Sequence, residues 1–145
     1  MVTLISHDPA QTEAIGAEWG RSAARGWVVG LSGDLGAGKT RLTKGFARGL
    51  GISDPVHSPT FSLVNIYTGG RLTLFHLDLY RLENPAQIVA AGLEEYLNPD
   101  GVTVVEWAER WFGQNPWSGT NFFRRAAIEH ITETERRICY EDFGA

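Results

Sequence analysis

The sequence predicts an α/β fold, a single domain with a mixed sheet flanked by helices and antiparallel hairpins, and three observations carry that expectation. The apolar run Trp27-Val28-Val29-Gly30-Leu31-Ser32 has the length of a buried strand and leads through a glycine-rich stretch into a helical pattern, with Leu42, Phe46, Ala47 and Leu50 in register. A second apolar run, Val102-Thr103-Val104-Val105, ends in Glu106. Two pairs of extended segments read as hairpins: Phe61 to Tyr67 with Leu72 to Leu79, and Ala126 to Ile131 with Arg137 to Phe143.

Taken in order, Val2 to Ser6 is a short strand, and Asp8-Pro9 is a helix entry with a capping side chain followed by a first-turn proline. That helix is predicted to reach about Ala24, with Ala14, Ile15, Trp19 and Ala23 on its core face. Gly26 turns the chain into the strand that precedes the glycine stretch, and Gly49 and Gly51 stop the helix that follows it. Pro59 biases Ser58 toward an extended conformation, so Ser58-Pro59-Thr60 belongs to a loop. In the strand that follows, alternation sets His76, Asp78 and Tyr80 on one face and Phe75, Leu77 and Leu79 on the other. Asn84-Pro85 opens helical segments to about Leu97, and Pro99-Asp100-Gly101 returns the chain to a strand. From Trp107 to Phe123 no regular element is predicted, and the terminal hairpin, about 124–143, extends the sheet.

A chain of 145 residues, 43% hydrophobic, suffices for one core and is short for two. No run approaches the roughly 18 apolar residues of a membrane span, and the N-terminal residues have no signal-peptide pattern. The single cysteine, Cys139, excludes an internal disulfide. A cytoplasmic protein with no membrane partner is expected. With 17 acidic and 13 basic side chains the formal charge is -4, which offers a polyanion no global attraction, so direct DNA or RNA binding is not expected. Arg124-Arg125 and Arg136-Arg137 are read as solvated strand ends.

The chemistry is concentrated in Gly33-Asp34-Leu35-Gly36-Ala37-Gly38-Lys39-Thr40, which fits the P-loop spacing of Gly, four residues, Gly, Lys, Ser/Thr. Its glycines let successive N–H groups turn toward one anion at a helix N-terminus. Asp34, Gly36, Ala37, Gly38, Lys39, Thr40 and Arg41 are therefore the candidate nucleotide-binding positions, with Lys39 reaching the phosphates and the Thr40 hydroxyl a ligand for Mg²⁺. Glu106, at the carboxyl end of an apolar strand, matches the Walker-B arrangement and is the second candidate metal ligand. His76 either orients Asp78 or is a buried polar group satisfied locally.

Together these residues resemble the bacterial TsaE family of P-loop ATPases. The resemblance covers roughly residues 2 to 110 and rests on the glycine motif, Ser58-Pro59-Thr60-Phe61, His76-Leu77-Asp78-Leu79-Tyr80-Arg81 and Val105-Glu106-Trp107. It implies an ATPase that binds the TsaD and TsaB proteins and supports repeated turnover in forming N6-threonylcarbamoyladenosine at tRNA position 37, meeting tRNA only through those partners. By position, the resemblance implies that Lys39 binds phosphate, Thr40 and Glu106 hold Mg²⁺, and Asp78 acts on the attacking water or around the metal. It also implies a γ-phosphate-sensing loop at Thr60 and a place beside the nucleotide for Trp107. Lys39, Asp78 and Glu106 are thus the candidate catalytic residues, and ATP and Mg²⁺ the implied cofactors.

Two other classes share the P-loop. A small-molecule kinase usually carries an arginine-rich lid, and none is marked here. A guanine-nucleotide switch carries an Asn/Thr-Lys-x-Asp motif, whereas the Thr43-Lys44 pair continues Gly45-Phe46.

Overall fold

The computed structural model describes residues 1–34, 36–59, 63–112 and 121–144. In chain order its elements are β1 Val2–Ser6, α1 Pro9–Ser22, β2 Val28–Ser32, α2 Lys39–Gly49, β3 Val64–Tyr67, β4 Leu74–Asp78, α3 Pro85–Ala90, a 3-10 turn Glu94–Leu97, β5 Val102–Glu106, α4 Glu109–Phe112, β6 Phe123–His130 and β7 Arg136–Phe143. Local chemistry sets the starts of two helices. Asp8 Oδ1 accepts from the Gln11 N–H at 2.8 Å, and Asn84 Oδ1 accepts from the Gln87 N–H at 3.0 Å, each with a proline next in line.

The strands form one mixed sheet in the order β1-β7-β6-β2-β5-β4-β3. β2 lies between β5 and β6, parallel to both, and β4 is parallel to β5. The carboxyl ends of these four strands therefore meet at one end of the sheet. β3, β7 and β1 are antiparallel to their neighbours. Alternation divides adjacent residues between two apolar layers. Val29, Leu31, Val104 and Ile128 join Trp19, Leu42, Phe46 and Leu50 of α1 and α2 and the residue after α2, while Val28, Val105 and Phe123 join Leu77, Leu79, Ile88 and Phe112 on the other side. Phe75, Leu77 and Leu79 all fall in the second layer, as the alternation predicts.

Several expectations are corrected. α2 begins at Lys39, so Lys39 and Thr40 of the glycine motif lie in its first turn rather than ahead of it. The first hairpin has shorter strands than predicted, and the start of its first strand lies outside the described residues. Within the stretch read as irregular, α4 is present and β6 begins at Phe123, while residues 113–120 lie outside the described residues. The terminal hairpin does not extend the sheet at its edge: it inserts between β2 and β1, and β1 is the edge strand. Gly30 admits this packing, because a Cβ there would lie 2.9 Å from the Phe123 ring. Nor are all the paired arginines solvated. Arg124, with 12% of its side chain exposed, is paired with Asp142 at 2.7 Å and lies over the rings of Trp19 and Tyr140 at 4.9 and 4.3 Å.

The core face of α1 also differs. Ala14 is exposed, and the buried positions include Thr12, Gly16, Ala17, Trp19 and Gly20. Gly16 and Gly20 on α1 meet Gly45 and Gly49 on α2 so closely that an added Cβ would lie 2.1 Å from Leu42 O, 2.2 Å from Phe46 O, 1.8 Å from Glu13 O and 2.1 Å from Ala17 O, respectively. The two backbones are in direct contact, which presses α2 against α1 along its length. Among the described residues no helix is long and apolar enough to cross a membrane.

An exposed helical glycine replaced by alanine gains about 1 kcal/mol of helix propensity. Here Gly45→Ala should instead destabilise by about 1–3 kcal/mol or more, because the methyl group has no space. A thermal midpoint at or above that of the wild type would contradict the contact.

Candidate functional site

The loop after β2 turns on glycines whose backbones take conformations that side-chain-bearing residues rarely adopt: φ is 143° at Gly33 and 111° at Gly38, the cap of α2. Gly33 is doubly constrained, since a Cβ would stand 2.4 Å from the Ile128 carbonyl. The loop folds over the Lys39 side chain, which is only 4% exposed. Lys39 Nζ donates to the carbonyls of Gly33 at 2.6 Å and Asp34 at 2.8 Å, and it lies 4.1 Å from the centre of the Trp107 ring. Burial pushes its pKa below the ordinary 10.5, while Glu106, Glu109, Asp78 and Asp34 act to raise it.

Thr40, one residue on, faces the end of β5. Its hydroxyl donates to Glu106 Oε1 at 3.0 Å and Oε2 at 3.2 Å, and it shares a hydrogen bond of 2.7 Å with Ser58 Oγ. With the Thr40 proton directed at the carboxylate, Ser58 is the donor of that second bond. The parallel register of β4 and β5 sets Asp78 opposite Glu106 and His76 opposite Val104. His76 is fully buried, and its Nε2 is 2.5 Å from Glu106 Oε2. Of the two roles open for His76, the structure therefore pairs it with Glu106 rather than Asp78. Asp78 Oδ1 accepts from the Tyr80 N–H at 3.0 Å. Burial raises the pKa of Asp78, the Tyr80 amide opposes this, and the nearby Glu106 adds to it.

These groups open onto a cleft of about 490 Å³, a size typical of small-molecule sites. Among the sequence-derived candidates, Gly36, Gly38, Lys39, Thr40, Arg41, Asp78, Glu106 and Trp107 line it. Asp34 and Ala37 contribute through the backbone: the Ala37 N–H donates to the Asp34 carbonyl at 3.0 Å, and the Ala37 side chain is buried away from solvent. Thr60 lies outside the described residues. Trp107 takes a left-handed backbone, φ 59°, at the point where β5 ends, and its ring packs against Tyr80 with centres 5.0 Å apart.

Three contributors escaped the sequence reading. Ser58 was assigned only to a loop, although the Ser-Pro step that holds it extended also presents it to Thr40. Tyr80 was placed on the right face but given no task. Arg136, taken for a solvated strand end, reaches back to the loop: Nε donates to Ala37 O at 2.9 Å, Nη2 approaches Gly36 O at 3.5 Å, and Nη1 is shared among the carbonyls of Thr132, Glu133 and Glu135. No local pattern marks this role of Arg136, because its partners in the glycine loop, Gly36 and Ala37, are 100 and 99 residues earlier.

The arrangement brings Lys39, the hydroxyls of Thr40 and Ser58, the carboxylates of Asp78 and Glu106 and the N-terminus of α2 to one cleft at the carboxyl end of the parallel strands. Fold and site together define a mixed α/β protein built around a glycine-rich strand–loop–helix turn. Residues 6–138 match the family described as "Threonylcarbamoyl adenosine biosynthesis protein TsaE". The tRNA threonylcarbamoyladenosine biosynthesis protein TsaE of Bacillus subtilis is 48% identical over 137 residues, spanning 94% of this chain and 83% of that protein. The protein of the same name from Nostoc is 44% identical over 114 residues, 76% of this chain and 70% of its own length. The crystal structure of Bacillus subtilis YdiB superposes with a TM-score of 0.77 at 37% identity, covering 96% of this chain and 83% of that one. The chain belongs to the TsaE family.

The raised pKa of Asp78 has a stability consequence with a definite sign. Its ionised form is less favourable in the folded chain than in the unfolded one, so stability falls as pH rises from the ordinary value of 3.8 through the raised folded value. Asp78→Asn, which keeps an acceptor for the Tyr80 amide, should melt above the wild type at neutral pH, with the margin closing below about pH 3.8. Thermal melts across pH check this, and a margin independent of pH would contradict it.

Proposed function

We propose that this TsaE-family protein is an Mg²⁺-dependent ATPase that acts with TsaD and TsaB in forming N6-threonylcarbamoyladenosine on tRNA. The observation that carries the reading is the union of Lys39, at the start of α2, with the Thr40–Glu106 pair that joins α2 to the end of β5. A hydroxyl and a carboxylate oxygen 3.0 Å apart are the hard donors that Mg²⁺ takes when most of its shell is water and phosphate. Among the described residues no cluster of three or more His, Cys, Asp or Glu side chains could cage a metal by itself, which agrees with a cation held jointly with a nucleotide. Thr40 and Glu106 would hold the ion, which when bound offsets charge on the phosphates.

The protein's own groups then have distinct tasks. Lys39 exchanges the Gly33 and Asp34 carbonyls for phosphate oxygens, leaving a site in which burial already disfavours its charge, so a phosphate dianion is a strong competitor for it. Asp78, at the edge of the cleft, orients the attacking water through its carboxylate. Arg136 lines the cleft but its guanidinium is engaged by loop and hairpin carbonyls, so it is not poised to neutralise a transition state. An arginine finger contributes about 10³–10⁵ in rate. Slow hydrolysis by the isolated protein is expected, with stimulation by the partner complex. The formal charge of -4 supports contact with tRNA through partners rather than directly.

Phosphate release from ATP, measured for the wild type and Lys39→Ala with and without purified TsaD and TsaB, tests the reading. The wild-type rate should rise with the partners, and Lys39→Ala should fall by about 100-fold or more in their presence. A wild-type rate that the partners leave unchanged, although ATP binds, would overturn the proposed role.

A further inference from the structure

His76 is a polar side chain that the core around it does not require. It is completely buried on β4, between Leu74 and Leu77, which are themselves buried. Its Nδ1 has no hydrogen-bond partner among the described residues. A buried polar ring left half-satisfied costs free energy that an aliphatic side chain would not, so the one bond it makes has to account for its presence. That bond runs from Nε2 to Glu106 Oε2 at 2.5 Å. A carboxylate only accepts, so Nε2 carries the hydrogen of this bond.

The consequence falls on Glu106. Its side chain is 3% exposed and leaves the end of β5 with two oxygens to place. His76 holds Oε2 from the sheet side, and the carboxylate then faces Thr40 Oγ1 with Oε1 at 3.0 Å and Oε2 at 3.2 Å. The His76 ring can do this because it sits two residues before Asp78 on a strand in parallel register with β5, so it approaches Glu106 from inside the sheet rather than from the cleft.

We propose that His76 is a positioning residue for cation binding: its Nε2–H locks the Glu106 carboxylate in the orientation that makes Glu106 and Thr40 a preformed pair of oxygen ligands. This rests on the reading that Thr40 and Glu106 hold Mg²⁺. Partners that orient a ligating group from behind change metal affinity by about 10–100-fold when removed, while groups that bind the rest of the ligand are untouched. The role is therefore separable from core packing, which would affect all ligands and the fold alike.

The test uses binding of a fluorescent ADP analogue, titrated with Mg²⁺ and repeated in EDTA, together with thermal melts of the unliganded proteins. His76→Leu fills the space without a donor, His76→Gln returns an amide N–H near the position of Nε2, and His76→Asn keeps polarity but falls short of Glu106. The expected result is a Mg²⁺ midpoint about 10–100-fold higher for His76→Leu and His76→Asn, largely restored in His76→Gln, with affinity in EDTA equal to that of the wild type. If His76→Leu does not fold, the Gln and Asn variants carry the comparison. Midpoints equal to the wild type in the Leu or Asn variant, or an equal loss of affinity in EDTA and in Mg²⁺, would overturn the role. A wild-type protein whose ADP binding ignores Mg²⁺ would instead remove the Thr40–Glu106 cation reading on which it stands.

Discussion

The hydrogen bond from the Thr40 hydroxyl to the Glu106 carboxylate ties the first turn of α2 to the last residue of β5, and the geometry of the cleft depends on it. It exists because β2 and β5 are parallel neighbours, so the strand that launches the glycine loop and the strand that delivers the carboxylate end at the same level. Parallel pairing thus does what no local motif can: it brings two positions 66 residues apart into one hydrogen-bonded pair. His76, Ser58 and Lys39 are all arranged around that pair, each from a different side.

Collecting ionisable groups in a dry site is expensive, and the structure shows how the expense is spread. Lys39 is solvated by carbonyls of its own loop and by the face of Trp107, Glu106 by His76 and Thr40, and Asp78 by the Tyr80 amide. Lys39 and Asp78 are held by backbone dipoles rather than by an opposite charge at hydrogen-bond distance, so their charges remain available to groups entering the cleft. A complete internal salt bridge would have quenched both.

What could be read from the sequence divides by the range of the interaction. The strand–loop–helix turn, the Asp8-Pro9 and Asn84-Pro85 helix starts and the alternation of β4 are local, and each was legible because a few adjacent residues determine it. The face of α1 was legible in part, since Ile15, Trp19 and Ala23 pack on the core, but Ala14 does not, and Gly16 and Gly20, which carry no hydrophobic signal, make its closest contact. Alternation placed His76 on the correct face but could not tell a solvent face from a buried one, which depends on the layer that α2 provides. Arg136 and the insertion of β6 beside β2 were illegible for a stronger reason: both are contacts between ends of the chain, and no pattern of spacing encodes them.

The topology also has a temporal side. β1 is made early, yet its hydrogen-bonding partners, residues 136–140, are added more than a hundred residues later. The carbonyls of Gly36 and Ala37 likewise wait for Arg136. During vectorial synthesis the nascent chain can close the α1–α2 contact and pair β2 with β5, but it holds an unpaired edge at β1 and an unpinned glycine loop until the β6–β7 hairpin has left the ribosomal tunnel. The site is therefore finished later than the strands that deliver its carboxylate and glycine loop, and the unpaired β1 edge is a surface that a cellular chaperone could meet in the interval.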